Sequence, residues 1–215
     1  MQPSADLNLL SLIQWLSPAF PTGGYAYSHG LEQAAVDATL TNADTLKHWL
    51  TDILTHGTSR QDAILLAIAL RPETDLDALT DLALALASSA ERHHETLAQG
   101  TALAQTVSAL TGRPLKPRPL PLVLGEAAAP LNLPAPKILA LYLHAFTSNL
   151  TQTMVRFVPL GQTEGQATLA SLHPIISHLA QTLATATEAN LSTTTFGAEL
   201  AAMRHETLQP RIFRT

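Results

Sequence analysis

Leucine and alanine recur at three- and four-residue spacing along most of this chain, and that pattern restricts its fold more than any other feature. Leu9, Leu12, Ile13 and Leu16 already form one apolar stripe before Pro18 ends the run. Of the 215 residues, 46% are hydrophobic, yet only 5% are aromatic and 13% charged. Alanine and leucine lead the helix-propensity scale, whereas sheets draw on aromatic and β-branched side chains. The reading is an all-α fold, a single-domain bundle of roughly eight to ten helices over residues 1–215. A second helix is expected from Ser28 to about residue 40. Thr41-Asn42-Ala43-Asp44 reads as an acidic capping box for a third, which carries Leu46, Trp49, Leu50, Ile53 and Leu54 and is interrupted near Gly57. Residues 62–70 are apolar nearly all round and suggest a central helix. Thr74 with Asp77 marks the next start, and a long helix is expected over 89–110. The proline-rich stretch 114–121 reads as a rigid extended connection inside one domain. Helices are then expected over about 136–158, 162–189 and 196–207, followed by a flexible tail at 208–215.

One segment breaks the helical pattern. Ser17-Pro18-Ala19-Phe20-Pro21-Thr22-Gly23-Gly24-Tyr25-Ala26-Tyr27-Ser28-His29-Gly30-Leu31-Glu32 places two prolines and two glycines within a few residues. Proline lacks an amide donor, and glycine has the largest backbone entropy to lose, so no helix crosses this elbow. Connecting loops are commonly polar, whereas this one holds Phe20, Tyr25 and Tyr27. Those aromatics make it either a packed structural corner or a recognition surface.

Composition excludes several classes. There is no cysteine, which removes disulfides, thiolate metal sites and cysteine nucleophiles, and suits a reducing compartment. The first residues show no basic region followed by an apolar core, and the expectation is a cytoplasmic protein. The longest unbroken apolar run, residues 63–70, is far short of the roughly 20 residues a membrane span requires. A net charge of -5 offers no electrostatic footprint for nucleic acid.

Few residues of the chain are arranged for reaction chemistry. Glu91-Arg92-His93-His94-Glu95 puts Glu91 and His94 on one helical face, as carboxylate-bridged iron sites require, but such sites need a second pair and two further glutamates. The favoured reading is a solvated charged face; the alternative is a helical metal carrier or metalloenzyme using Glu91 and His94. Gly161-Gln162-Thr163-Glu164-Gly165-Gln166 lacks the lysine and hydroxyl residue of a phosphate loop and reads as a turn launching a helix. No serine or threonine sits in a glycine-flanked nucleophile elbow. No catalytic residue, resident metal or cofactor is therefore assigned, and a binding or assembly protein fits better than an enzyme.

The elbow closely resembles the first signature of the UreF family of urease accessory proteins. Thr147-Ser148-Asn149-Leu150, followed by Val158-Pro159-Leu160-Gly161-Gln162-Thr163-Glu164-Gly165-Gln166, is similar to the family's second signature. Met203-Arg204-His205-Glu206-Thr207 with Arg211-Ile212-Phe213-Arg214-Thr215 is similar to its carboxy-terminal one. The resemblance implies an all-helical homodimer that joins a scaffold protein, UreD or UreH, and the GTPase UreG, and with them delivers nickel to the urease apoprotein. It further implies a chaperone that modulates the GTPase without hydrolysing GTP itself, and a tail that orders when the scaffold binds. The family's elbow tyrosine maps onto Tyr25 and its tail arginine onto Arg211. One departure is clear: Gln209 and Pro210 stand where the family usually has tyrosine and serine.

The residue chemistry of the tail agrees. Arg204, Arg211 and Arg214 leave this terminus positive in an acidic chain, and Ile212 and Phe213 supply apolar anchors. Arginine and aromatic residues dominate interface hot spots. The expected partner-binding residues are Tyr25, Tyr27, Ser28, His29 and Glu32 of the elbow, with Arg204, His205, Glu206, Arg211, Phe213 and Arg214 of the terminus. In this reading the elbow presents its polar and aromatic side chains while the tail braces it.

Overall fold

The first stripe becomes α1 (Ala5–Leu16), with Leu12 and Trp15 turned into the core. The structure is a computed structural model that describes residues 5–192 and 194–214, so the first four residues and Thr215 of the carboxy-terminal block lie outside the described residues. After the elbow come α2 (Leu31–Val36), α3 (Ala43–His56), α4 (Thr58–Ala69), α5 (Leu76–Ala85) and α6 (Ala90–Thr111). The second half holds α7 (Leu120–Ala128), α8 (Ala135–Phe157), α9 (Gln162–Leu183) and α10 (Phe196–His205). No strand occurs among the described residues, and the all-α expectation holds.

Helix α4 is the central rod. Ten of its twelve residues are buried, as its all-round apolar sequence demands. It packs on α3, α7, α8 and α9, and α8 and α9 form the most extensive helix pair. One continuous core draws Leu12 and Leu54 from before the proline-rich stretch and Leu122, Leu143 and Leu172 from after it. Burying side chains of this size removes about 25 cal/mol of unfavourable hydration per Å2 of apolar surface.

Several ends differ from their sequence reading, each for a local reason. The helix expected over 28–40 is only the short α2. Ala38 takes a left-handed φ of 55°, and the amides of both Thr39 and Leu40 turn back onto the carbonyl of Ala34. The box at the start of α3 sits one residue later than expected. Asn42 accepts from the Thr45 amide at 3.0 Å, and Thr45 Oγ1 accepts from the Asn42 amide at 3.1 Å. Asp75, not Thr74, caps α5, taking the amides of Asp77 and Ala78. Helix α7 is absent from the sequence reading, which continues the extended connection through Pro121. Proline is compatible with a first helical turn, because the amide it lacks has no intrahelical acceptor there. The glycine turn at 161 launches α9 as expected, with Glu164 Oε2 accepting the Gly161 amide at 2.9 Å.

Close approach decides two glycines. A Cβ on Gly100 of α6 would lie 1.8 Å from the Arg118 carbonyl oxygen, and one on Gly125 of α7 would lie 2.6 Å from Ala69 Cβ. These positions let the connection 113–119 cross α6 and let α7 lie directly on α4.

Candidate functional site

The three sequence blocks, far apart along the chain, meet at one place. The elbow reaches it through Gly23 and Gly30, both with left-handed φ near 75° (73° and 77°), on either side of a short turn over Gly24–Ala26. Gly30 has a second constraint, since a Cβ would lie 2.7 Å from the Ala202 amide of α10. From the second block, Asn149 of α8 donates its side-chain amide to the Gly24 carbonyl at 2.7 Å. From the third block, α10 and the segment after it close over the elbow's far end.

The closure is made by two carboxylates and one imidazole. His205, with no exposed surface, places Nε2 2.9 Å from Glu32 Oε2 and Nδ1 2.9 Å from Glu91 Oε2. Ionised carboxylates only accept hydrogen bonds, so both contacts form together when the ring carries a proton on each nitrogen. Glu32 also accepts the amides of Ile212 at 2.8 Å and Phe213 at 2.9 Å. Arg211 donates to Glu91 Oε1, while the Arg214 amide donates to the Ala26 carbonyl at 2.8 Å. Phe213 meets Phe157 edge-on, ring centres 6.0 Å apart. Glu206 accepts the Ala90 amide at 2.9 Å, setting a negative charge at the positive end of the α6 dipole. The segment after α10 is thus already folded against the elbow in the chain by itself.

A second charged network lies beneath. Glu95 Oε1 takes His29 Nε2 at 2.9 Å and the Gln99 amide at 2.7 Å, and its other oxygen lies 3.1 Å from Arg92 Nη1. Arg92 reaches Asp62 Oδ2 at 2.5 Å, and the Tyr142 hydroxyl donates to the same oxygen at 2.8 Å. Burial alone would raise the Glu95 carboxyl, but the charges of His29 and Arg92 outweigh it and hold it at about 2. Burial alone would likewise lower Arg92, and Asp62 and Glu95 push it above its ordinary value instead. For Tyr142 burial comes first and the Asp62 charge adds to it, keeping the phenol protonated. Glu95 and Arg92 therefore stay ionised, and the network joins the elbow, α4, α6 and α8.

These positions revise the sequence reading of residues 91–95. Only His93 and His94 form a solvated face; Arg92 and Glu95 are buried, and Glu91 is half-buried and occupied by His205 and Arg211. The metal alternative gains no further ligand, since no group of three or more histidine, aspartate or glutamate side chains stands ready to hold an ion among the described residues. The elbow divides too. Tyr25 is 66% exposed, whereas Tyr27 and Ser28 are buried, and His29 is turned inward against Glu95 and the Phe146 ring. Arg204 stays at the surface, 3.7 Å from Asp37. Sequence reasoning missed Asp62, Glu95 and Tyr142. The signal available was a carboxylate in an otherwise apolar helix, Asp62 in α4, which requires a buried partner.

Fold and site together define an all-helical protein whose elbow and carboxy-terminal segment are clasped by the carboxylates of Glu32 and Glu91 at one composite surface. A model of the UreF family matches residues 40–173. The chain is 59% identical to the urease accessory protein UreF of Cereibacter sphaeroides strain ATCC 17029 over 207 residues, 96% of this chain and 98% of that one. It is 50% identical to the protein of the same name from Paracoccus denitrificans over 206 residues, covering 96% and 95%. The Jannaschia sp. protein of that name is 44% identical over 207 residues, covering 96% and 94%. The chain belongs to the UreF family of urease accessory proteins.

Proposed function

We propose that this chain is an assembly factor of urease maturation that bridges a UreD/UreH-type scaffold and a UreG-type GTPase in the cytoplasm, and modulates the GTPase while nickel passes to the urease apoprotein. The observation that carries the proposal is Glu32. One buried carboxylate holds the amides of Ile212 and Phe213 and the ring of His205, and so fastens the terminal arginines beside the elbow tyrosine. Tyr25, Arg204, Arg211 and Ile212 are exposed around this closure and supply aromatic, cationic and apolar contacts. Tyr27, Ser28, His29, Glu32 and His205 serve the same surface from within, by fixing where those contacts stand. Glu206, Phe213 and Arg214 hold the segment to α6, α8 and the elbow backbone. Residues 208–215 are the part expected to respond to the scaffold.

Co-purification tests the proposal. Wild-type chain is expected to retain both partners and to support nickel-dependent urease activation, and Tyr25→Ala to lose the GTPase while remaining folded. Unchanged complexes and unchanged activation in Tyr25→Ala and Arg211→Ala would remove the assignment. The reading includes a second copy of this chain in the complex, and sedimentation of the isolated protein as a monomer across micromolar concentrations would remove that part.

A further inference from the structure

A cavity of about 100 Å3 lies directly under the elbow, with Trp15, Tyr25 and Phe146 on its apolar walls and Asp62, Arg92 and Glu95 on its polar side. At about 30 Å3 per molecule, that is space for roughly three waters. Its polar side holds two carboxylates, the Arg92 guanidinium and the His29 imidazole, whose Nε2 lies 2.9 Å from Glu95 Oε1. Glu95, only 1% exposed, has an incomplete hydrogen-bond set. Its Oε2 ion-pairs with Arg92 at 3.1 Å, but off the hydrogen-bond direction, and accepts no hydrogen bond. A buried carboxylate oxygen without a donor is costly, and aromatic faces beside it favour positive charge.

We infer that this cavity is a binding site for an alkylammonium or alkylguanidinium group, and that its occupant is a lysine or arginine side chain of a partner protein docking at the elbow. The inference rests on the proposed function in taking the elbow as the docking surface. Size selects a side chain over a free amine. Only a few heavy atoms fit, and even the best small ligands gain at most about 1.5 kcal/mol per heavy atom. A side chain tethered to a larger interface needs no such independent affinity. Tyr25 lines the cavity and is exposed, so it stands where an entering stem would pass and its ring could cover the methylenes.

The test uses the chain alone, with n-propylammonium and methylguanidinium as probes at millimolar concentration, and n-butanol and butyrate as neutral and anionic controls. Binding is read by side-chain amide NMR shifts at Gln99 and Asn149. The cations are expected to saturate these shifts and the controls to leave them unchanged. Glu95→Gln removes the charge and is expected to weaken cation binding at least about tenfold. Ala145→Phe fills the cavity from α8 with the charges intact and is expected to abolish binding, which keeps the test decisive if Glu95→Gln does not fold. Equal binding of butanol, undiminished cation binding by Ala145→Phe, or no cation shift at all would overturn the inference. Because no partner is present, failure here is distinct from failure of the bridging proposal, which shows instead in co-purification.

Discussion

Glu32 shows how much one side chain organises in this molecule. It sits in the first turn of α2, buried, with one backbone amide pair from the terminus and one imidazole as its partners. Removing one member of a buried charged set leaves the others without compensation, at a typical cost of about 3 to 5 kcal/mol. Glu32→Ala is accordingly expected to lower unfolding free energy by about 3 kcal/mol or more, measured by urea titration. Arg211 is partly solvated, and Arg211→Ala is expected to cost under about 1 kcal/mol in the same titration. Glu95 gives a pH signature. Its carboxyl is held at about 2 in the fold against an ordinary 4.5, so its contribution is complete above pH 4.5 and is lost as pH falls towards 2. Stability should decline across that window, and Glu95→Gln should flatten part of the decline. None of these partners was legible from sequence, because Glu32, Glu91 and His205 are brought together only by the tertiary fold. The sequence reading names Glu32 and His205 as partner contacts and Glu91 only as part of a charged face or metal pair; burial makes Glu32 and His205 the fasteners of contacts.

At the scale of elements, legibility followed periodicity. The stripes of α1, α3 and α6 and the all-round apolar α4 are plain in the sequence because each helix repeats its pattern over several turns. Helix α7 is short and opens with proline, so its sequence resembles the extended stretch before it; what holds it is contact with α4 and α6. That contact depends on glycines that periodicity does not explain. Gly100→Ala would drive a methyl group into the Arg118 carbonyl, and the backbone crossing there must shift. It is expected to cost about 1 to 3 kcal/mol by urea titration, whereas Gly112→Ala meets no atom and pays only the strain of its left-handed φ.

The whole molecule is a helical body built so that its last residues return to its first turn. The core spans both sides of the proline-rich connection, and the charged interior runs from the elbow through α4 and α6 to α8. Over this base the terminus is held, among the described residues, by bonds to the elbow and α6, with a ring contact to Phe157. Such an attachment keeps exposed Tyr25 and Arg211 in one frame without burying them. The central claim is that partners recognise the elbow and terminus as one surface. The most direct measurement is the affinity of the GTPase partner, by calorimetry, for wild type, Tyr25→Ala, Arg211→Ala and the double variant. A shared surface predicts that the double variant loses less than the sum of the single losses, or more, by at least about 0.5 kcal/mol. Strictly additive losses, or wild-type affinity in all three variants, would contradict it.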